Sequence, residues 1–427
     1  MAVIVRTGVY PVKYFLHVII IITLAWMFDA LDLTLLAIVI GSMAVQLHFE
    51  LASIGSLLLS AALLTSGIGG ILFGFIADKI GRKKTLALAI LTYGIPTLLI
   101  GLVHSWIELL VLRLIAGFGV GGAWAAGMTL IAELIDPKER GTAIGIVQSG
   151  FPLGFMLAVL LAYFVAFDPT DKVAPFARWR LAFLLAAIPA IIMAIIVLWK
   201  VPESYLWKFH LINNKARMPD LLRNKLYLKR LGIAIVMDTI AMMGYWMYWS
   251  WLPHYLNTTY KSNILSATQN FEWLLLTQVG AFLGYISYGK IQDHLGRRRT
   301  WTIFTVSEGI LVLISILFIR ELLANPVLTI KFILPFYIIG FLLGFFTGYW
   351  ASFGTILSEL FPTKIRGTFS GLAFNVGRTI NFISPLLVGF LSGIYGWGIA
   401  ISFSAIATFA TSLIVWLLPE TKGKILE

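Results

Sequence analysis

The chain has 427 residues, of which 59% are hydrophobic and only 12% carry a charged side chain. Soluble domains average roughly 45–50% apolar and about 25% charged residues, so this composition excludes a water-soluble globule, a disordered chain and a coiled coil. The net charge is +12, and the absence of cysteine excludes disulfides, thiolate metal sites and cysteine nucleophiles.

Long apolar segments follow one another along the chain. A helix that crosses a bilayer needs about 20 apolar residues, so the length predicts twelve spanning helices. The first six segments are residues 14–40, 52–77, 85–103, 107–135, 141–167 and 179–201, and the last six are residues 231–256, 269–291, 300–319, 328–360, 367–391 and 397–418. We therefore predict an all-α membrane protein with a first six-helix bundle in 1–201, a polar cytoplasmic linker in 202–230 and a second bundle in 231–427.

The basic residues are distributed unevenly between the two predicted faces of the membrane. Of the 32 Lys and Arg residues, 24 fall on the face that carries the N-terminus, six fall on the other face, and two lie within spans. Short cytoplasmic loops are rich in Lys and Arg, so both termini are predicted to be cytoplasmic, in a plasma-membrane protein. Because the charge is spread over short loops beside apolar helices, it does not indicate nucleic-acid binding.

Three short motifs occur twice at nearly the same separation. Asp-x-x-Gly-Arg follows the second and eighth spans, at an offset of 215 residues. A Glu with Arg-Gly-Thr beginning seven residues later follows the fourth and tenth spans, at an offset of 226 residues. Pro-Glu-Ser closes the sixth span and Pro-Glu-Thr the twelfth, at an offset of 217 residues. Three matched pairs predict two homologous halves in the same orientation.

These motifs resemble those of the major facilitator superfamily across essentially the whole chain. The resemblance implies two six-helix bundles around a central cavity, with transport by alternating access. It also implies a charged cytoplasmic gate that joins the two bundles when the protein opens outward, and the alternative is that the charges only anchor the topology. The predicted gate residues are Asp78, Arg82, Glu133, Arg140, Glu203, Asp293, Arg297, Glu359, Arg366 and Glu420. Gly74 and Gly289, in the same motifs, are expected to permit close backbone contact.

Three ionisable residues lie within the predicted spans of the first half, where a charge is costly and indicates function. Asp29 and Asp32 share a face of the first helix, and Arg113 lies at a similar depth in the fourth. An Asp–Arg pair that opens and closes can bind and release a proton, so the three are predicted to couple transport to protons. A purely structural ion pair is the alternative, and the sequence does not rank Asp29 against Asp32.

The segment around these acids reads Trp-Met-Phe-Asp-Ala-Leu-Asp. It is similar to the first helix of organic-acid:proton symporters, including the sialate/lactate and aromatic-acid groups. Phosphate:proton symporters share its Asp-Ala-x-Asp pattern, so the segment alone does not separate the two substrate classes.

Arg378 lies near the middle of the eleventh predicted span, in an Asn-x-Gly-Arg setting that resembles bacterial organic-acid transporters. A guanidinium that faces a wet cavity can bind a carboxylate through two N–H groups, so Arg378 is predicted to bind the substrate. The alternative is that an acid such as Asp238 neutralises it. The other candidate substrate-binding residues are Asn375, Asn381, Tyr245, Tyr248, Trp249, Gln148, Gln278 and Asp238 itself.

Together these features favour proton-coupled symport of a small organic anion, a monocarboxylate or aromatic acid, by a monomer in the lipid bilayer. A sugar or polyol:proton symporter is the first alternative, because the Pro-Glu-Ser and Pro-Glu-Thr motifs resemble sugar-porter signatures. Inorganic phosphate is the next alternative, followed by a non-transporting nutrient sensor. We expect no enzyme activity, cofactor or metal, because the sequence has no P-loop and no metal-ligand spacing. Glu308, in the ninth span, has no predicted role.

Overall fold

The computed structural model describes residues 12–135, 140–171, 173–204, 207, 224–261, 265–324, 329–361 and 363–422, which form helices and turns without a strand among them. The first half contains α1 (Val12–Gln46), α2 (Ser56–Ile80), α3 (Arg82–Ile100), α4 (Trp106–Leu134), α5 (Arg140–Gln148, continued by Gly150–Leu161) and α6 (Trp179–Lys200). The second half contains α7 (Lys225–Trp249), α8 (Ala267–Leu295), α9 (Arg297–Ala324), α10 (Thr329–Phe346), α11 (Thr363–Ile380, continued by Ile383–Tyr395) and α12 (Trp397–Ser402, continued by Ser404–Ile414).

The twelve predicted helices are therefore confirmed. Short helical segments extend several of them; for example, Leu252–Lys261 follows α7, and Thr347–Ala351 with Ser352–Leu360 follows α10. Most of the predicted linker lies outside the described residues, and α7 begins inside it, at Lys225.

Eleven helices of the described chain are long and apolar enough to cross a membrane. The remaining one, α8, has 29 residues but is more polar, because Asn270, Glu272 and Gln278 interrupt its apolar sequence. Large apolar side chains such as Phe75, Phe164 and Trp199 are more than half exposed on the outside of the bundle. An exterior of this kind suits contact with lipid rather than with water.

Local sequence signals set several helix ends. The Ser105 hydroxyl accepts a hydrogen bond from the Glu108 amide at the start of α4, and Ser266 forms a capping box with Gln269 at the start of α8. Glycines with positive φ, Gly81 (102°) and Gly296 (93°), end α2 and α8 and allow the next helix to begin at once. These are the two Asp-x-x-Gly-Arg motifs.

The two halves pack their helices in the same pattern. In the first half α1 packs on α5 and α6, α2 on α4, and α3 on α4 and α6, and the corresponding pairs recur in the second half. Small residues permit the closest of these contacts, because a Cβ on Gly117 or Gly121 of α4 would overlap the backbone of α2. Gly280 and Gly284 of α8 are equally close to α10. The halves meet mainly where α2 packs on α11 and α5 packs on α8.

The expectation for Gly74 and Gly289 is wrong. A Cβ on either residue would meet no described atom within 4 Å, so neither glycine mediates a close backbone contact in this structure. The close contacts lie deeper in the bundle, where α4 and α8 each pass near the backbone of a neighbouring helix.

Candidate functional site

The α2–α3 and α8–α9 turns lie at one end of the molecule, which we call the basic end. At this end each turn receives a glutamate from the last span of its own half. Glu203 accepts hydrogen bonds from the amides of Arg82 and Lys83, and Glu420 accepts them from Arg297 and Arg298. Each carboxylate thus caps the N-terminus of the following helix, where negative charge is favourable. A Cβ on Gly81 would overlap the Glu203 carboxylate, so this turn needs glycine for space as well as for its φ angle.

The Glu420 carboxylate receives four such bonds, because the amides of Thr421 and Lys422 also donate to it. Burial acts to raise its pKa, but the four backbone N–H donors together hold the pKa of Glu420 below its ordinary value.

Each turn also carries an arginine with two carboxylate partners. Arg82 lies 2.8 Å from Asp78 and 3.1 Å from Glu133 of α4. In the second half Arg297 lies 2.6 Å from Asp293 and 2.8 Å from Glu359, at the end of the helix that follows α10.

The gate that would join the two halves when the protein opens outward stays a prediction, because these clusters join helices within each half. Every ion pair described above links helices of one half, and no described ion pair crosses between the halves. The side chains of Arg140 and Arg366 lie outside the described part of the chain.

Inside the bundle, the structure pairs Asp32 with Arg113. Asp32 Oδ2 lies 2.7 Å from Arg113 Nη1, and both side chains are almost fully buried. The Thr97 hydroxyl of α3 donates to the other carboxylate oxygen of Asp32 over 2.6 Å. The predicted Asp–Arg pair therefore exists and it uses Asp32, so polar contacts of Asp32 join α1, α3 and α4.

Asp29, one turn earlier on α1, is in a different environment. It is fully buried, and neither of its carboxyl oxygens has a hydrogen-bond partner among the described residues. An unpaired charge at such a site is expensive. Asp29 interacts electrostatically with Arg378, although no described ion pair joins them. The structure thus separates two acids that the sequence could not rank.

A small central cavity lies between the halves. The first half contributes residues from α1 and α5, and the second half contributes residues from α7, α8, α11 and the segment after α10. The lining residues are Trp26, Gln148, Phe151, Trp246, Tyr285, Trp350, Phe374 and Arg378.

The polar groups of this cavity are mostly unpaired donors. Trp26 Nε1, Trp246 Nε1, Trp350 Nε1 and Arg378 Nη1 are buried and have no described partner. Gln148 Oε1 is a buried acceptor without a described partner, and the lining also contains the Tyr285 side chain, whose hydroxyl can donate or accept. Each buried donor without a partner costs about 1–3 kcal/mol, so a ligand with acceptor atoms would be favoured in this cavity. The Arg378 guanidinium also lies 5.8 Å from the centre of the Trp26 ring.

A second small cavity adjoins the first and shares Trp246 with it. Its lining includes Arg113, Tyr245 and Trp249, and it extends along α1 past Thr34. The Asp32–Arg113 pair therefore lies at the wall of the second cavity, through Arg113.

Several predicted substrate-binding residues do not line either cavity. The Tyr248 hydroxyl bonds Ser315 of α9 at 2.7 Å, and Gln278 donates to its neighbour Thr277. Asn381 donates to the carbonyls of Gly377 and Thr239, so it braces the break in α11 against α7.

Asn375 and Asp238 also lie away from both cavities. Asn375 packs against Gly70 of α2, and Asp238 packs against Gly377. Asp238 forms no described ion pair with Arg378, so it does not neutralise that residue in this structure. Glu308 is buried and hydrogen-bonded to the Tyr349 side chain, and it lines neither cavity.

The sequence analysis missed most of the aromatic lining. Two of these residues had a usable signal: Trp26 lies three residues before Asp29 and Phe374 four residues before Arg378, so each shares a helix face with a candidate residue. Phe151, Tyr285 and Trp350 carry no such signal, because only the packing of the two halves brings them together.

The cavity is closed differently at its two ends. At the end opposite the basic end, helices from the two halves touch closely, since a Cβ on Gly389 of α11 would overlap Ser56 of α2. Toward the basic end, Trp124 of α4 stacks on Phe374 of α11, with ring centres 4.0 Å apart and planes 7° apart. Beyond this pair, a Cβ on Gly145 or Gly371 would meet no described atom within 4 Å. A stacked aromatic pair therefore closes the cavity on the side of the basic end.

Comparison with known proteins places this geometry in a family. The family model described as Major Facilitator Superfamily matches residues 22–287 and 239–426. A probable 4-methylmuconolactone transporter from Cupriavidus pinatubonensis is 32% identical over 407 residues, which cover 94% of this chain and 90% of the relative. The cis,cis-muconate transport protein of Acinetobacter baylyi is 30% identical, and the match covers 89% of this chain and 88% of the relative.

A solved structure supports the fold. The crystal structure of a D-xylose-proton symporter matches with a TM-score of 0.76 at 20% identity, and the match covers 97% of this chain and 100% of that one. At this level of identity the likeness establishes the arrangement of the helices but not the substrate.

Proposed function

This chain belongs to the Major Facilitator Superfamily of transporters and is not an enzyme, and from that premise we propose that it carries a small organic anion in symport with protons. The observation that carries the proposal is the central cavity, whose unpaired polar groups are Arg378 and three indole N–H donors against one amide acceptor. The relatives named above are transporters of organic acids, which agrees with a cavity of this chemistry.

Arg378 binds the carboxylate of the substrate in this proposal. Its guanidinium is buried, lacks a described carboxylate partner and lies at the cavity wall. A carboxylate that enters would gain charge-assisted hydrogen bonds and would supply the missing counter-charge. A sugar would bring many hydroxyl donors into a lining with few unpaired acceptors, so the cavity favours the anion.

Asp29 carries the coupled proton, and the Asp32–Arg113 pair holds α1 against α4 beside it. Asp29 lacks hydrogen-bond partners, whereas Asp32 already uses both of its carboxyl oxygens. The positive charge of Arg378 favours an ionised Asp29. When the substrate carboxylate neutralises Arg378, that support is lost and proton binding at Asp29 becomes more favourable. Anion and proton then bind together, which is the requirement for symport.

The basic end faces the cytoplasm in the plasma membrane, and both termini lie on that side. The excess of Lys and Arg on this face supports the orientation. The two charged clusters stiffen each half, so that a monomer moves them as rigid bodies during alternating access. Contacts between the halves at Arg140 and Arg366 would complete the gate in the opposite conformation.

The test is uptake by proteoliposomes under an imposed pH gradient, with a panel of carboxylates, sugars and phosphate. We expect carboxylates to accumulate when the outside is acidic and to compete with one another. Arg378→Gln should reduce their uptake at least about 30-fold, because it removes one partner of a buried charge pair. The matched control is Arg178→Gln, in an exposed loop. Accumulation of sugars without entry of carboxylates would overturn the proposal.

A further inference from the structure

In the central cavity, buried hydrogen-bond donors without a partner outnumber buried acceptors without one. This imbalance bears on which anions the cavity accepts. Around Phe151, the rings of Trp26, Trp246 and Trp350 lie with centres 6.0, 6.5 and 6.3 Å away. All three indoles are more than nine-tenths buried, and all three N–H groups lack a described partner.

The three indoles divide into two groups by position. Trp26 lies next to the Arg378 guanidinium. Its N–H group is therefore near the position where Arg378 would hold a carboxylate. Trp246 and Trp350 lie on the second half, and Trp350 is nearly parallel to Phe151, with 11° between the ring planes. These two N–H donors remain unused after a carboxylate is bound at Arg378.

We propose that Trp246 and Trp350 are specificity-determining residues that select organic anions bearing a second hydrogen-bond acceptor and no hydrogen-bond donor on the remainder of the molecule. The inference rests on the proposed function, because it assumes that Arg378 holds the carboxylate. An acceptor such as a carbonyl, an ether oxygen or a ring nitrogen satisfies an indole N–H that is otherwise buried and unpaired. A hydroxyl or amino group brings a donor for which the lining offers Gln148 Oε1 as its unpaired acceptor. Sites built to hydrogen-bond a ligand group discriminate strongly against analogues that cannot pair.

Matched pairs of acids isolate this effect. Pyridine-3-carboxylate differs from benzoate by one ring nitrogen in place of a C–H group, so it adds an acceptor with little change of shape. Methylation of 3-hydroxybenzoate to 3-methoxybenzoate removes the donor and keeps the acceptor oxygen. Binding of these four acids to the purified full-length protein in nanodiscs, measured by calorimetry, gives each preference directly.

We expect pyridine-3-carboxylate to bind about tenfold more tightly than benzoate, the worth of about one hydrogen bond. The methoxy acid should bind more tightly than the hydroxy acid. Trp350→Phe or Trp246→Phe should reduce the pyridine preference to about threefold or less, because the aromatic ring is kept and the N–H donor is lost. The matched control is Trp301→Phe, since Trp301 has an equally buried and unpaired N–H but lines neither cavity.

Equal affinities within both pairs would overturn the inference, as would a pyridine preference that survives in both cavity variants. Suppose that the acids bind, that Arg378→Gln abolishes their binding, and that neither the pyridine nor the methoxy preference is found. The proposed function then stands and the specificity inference fails. If none of the four acids binds, or binding ignores Arg378→Gln, both are overturned.

Discussion

Arg82 and Arg297 make the same contacts in the two halves of the molecule: each forms ion pairs with an aspartate four residues earlier and with a glutamate at the end of the next span. In the interior the halves differ. The first half buries Asp29 and the Asp32–Arg113 pair, whereas the second half presents Arg378 among aromatic side chains. The contacts that both halves share hold helices together, and the residues that distinguish them surround the cavities. Under the proposed function, the first half serves the proton and the second half the anion.

The largest effect that would test this comparison concerns the two acids of α1. Asp32→Asn leaves Arg113 buried without a counter-charge, so we expect a loss of about 3–5 kcal/mol in the free energy of unfolding. Asp29→Asn removes no described contact and should cost no more than about 1 kcal/mol. Denaturant unfolding in detergent measures both variants. Similar losses for the two variants would mean that Asp29 has a structural partner and that the division of roles between the acids is wrong.

The next effect tests whether the two basic-end turns are equivalent. Alanine at Gly81 or Gly296 must adopt a positive φ, which costs about 1–2 kcal/mol for an L-residue. Gly81→Ala should lose more stability, because its Cβ would overlap the Glu203 carboxylate, whereas the Cβ at Gly296 would lie 3.0 Å from that of Glu420. Gly289→Ala is the control, since its Cβ would enter open space. An equal loss at both turns would show that φ alone sets the requirement for glycine.

The sequence predicted the parts of the molecule that depend on local or repeated signals. Twelve helices follow from apolar segment lengths, and the turns around Gly81 and Gly296 follow from the duplicated motifs. The Asp–Arg pair was predicted to within one helical turn, but depth along a helix cannot tell Asp29 from Asp32. That distinction depends on Thr97, which lies on another helix and has no marked place in the sequence.

The cavity was the least predictable part. Arg378 was identified because a charge in a span is conspicuous, and Gln148 because a polar side chain there is unusual. Trp246 was not among the predicted residues, and Tyr248 was predicted to bind the substrate although its hydroxyl is hydrogen-bonded to Ser315 on α9. The packing of all twelve helices decides which side of an aromatic segment faces the cavity. The sequence of one helix alone does not predict that side.

A smaller effect concerns pH and the Glu420 cap. The pKa of Glu420 is lowered in the folded protein, so the stability that its carboxylate contributes is present above the ordinary glutamate pKa. That contribution is lost as the pH falls through the lowered value. We expect wild type to be more stable than Glu420→Gln at neutral pH and the difference to shrink below about pH 4. Thermal unfolding midpoints of the two proteins across this range measure it, and a difference that does not change with pH would contradict the assigned role of the carboxylate.

The central claim is that Asp29 carries the proton that drives anion accumulation. Its most direct measurement compares wild type with Asp29→Asn in proteoliposomes, using acid-driven accumulation and, separately, exchange of labelled for unlabelled carboxylate at equal pH. We predict that the variant loses accumulation and keeps exchange, because the substrate still binds at Arg378 while no proton is carried. Accumulation by Asp29→Asn at the wild-type level, with the same dependence on the pH gradient, would contradict the account.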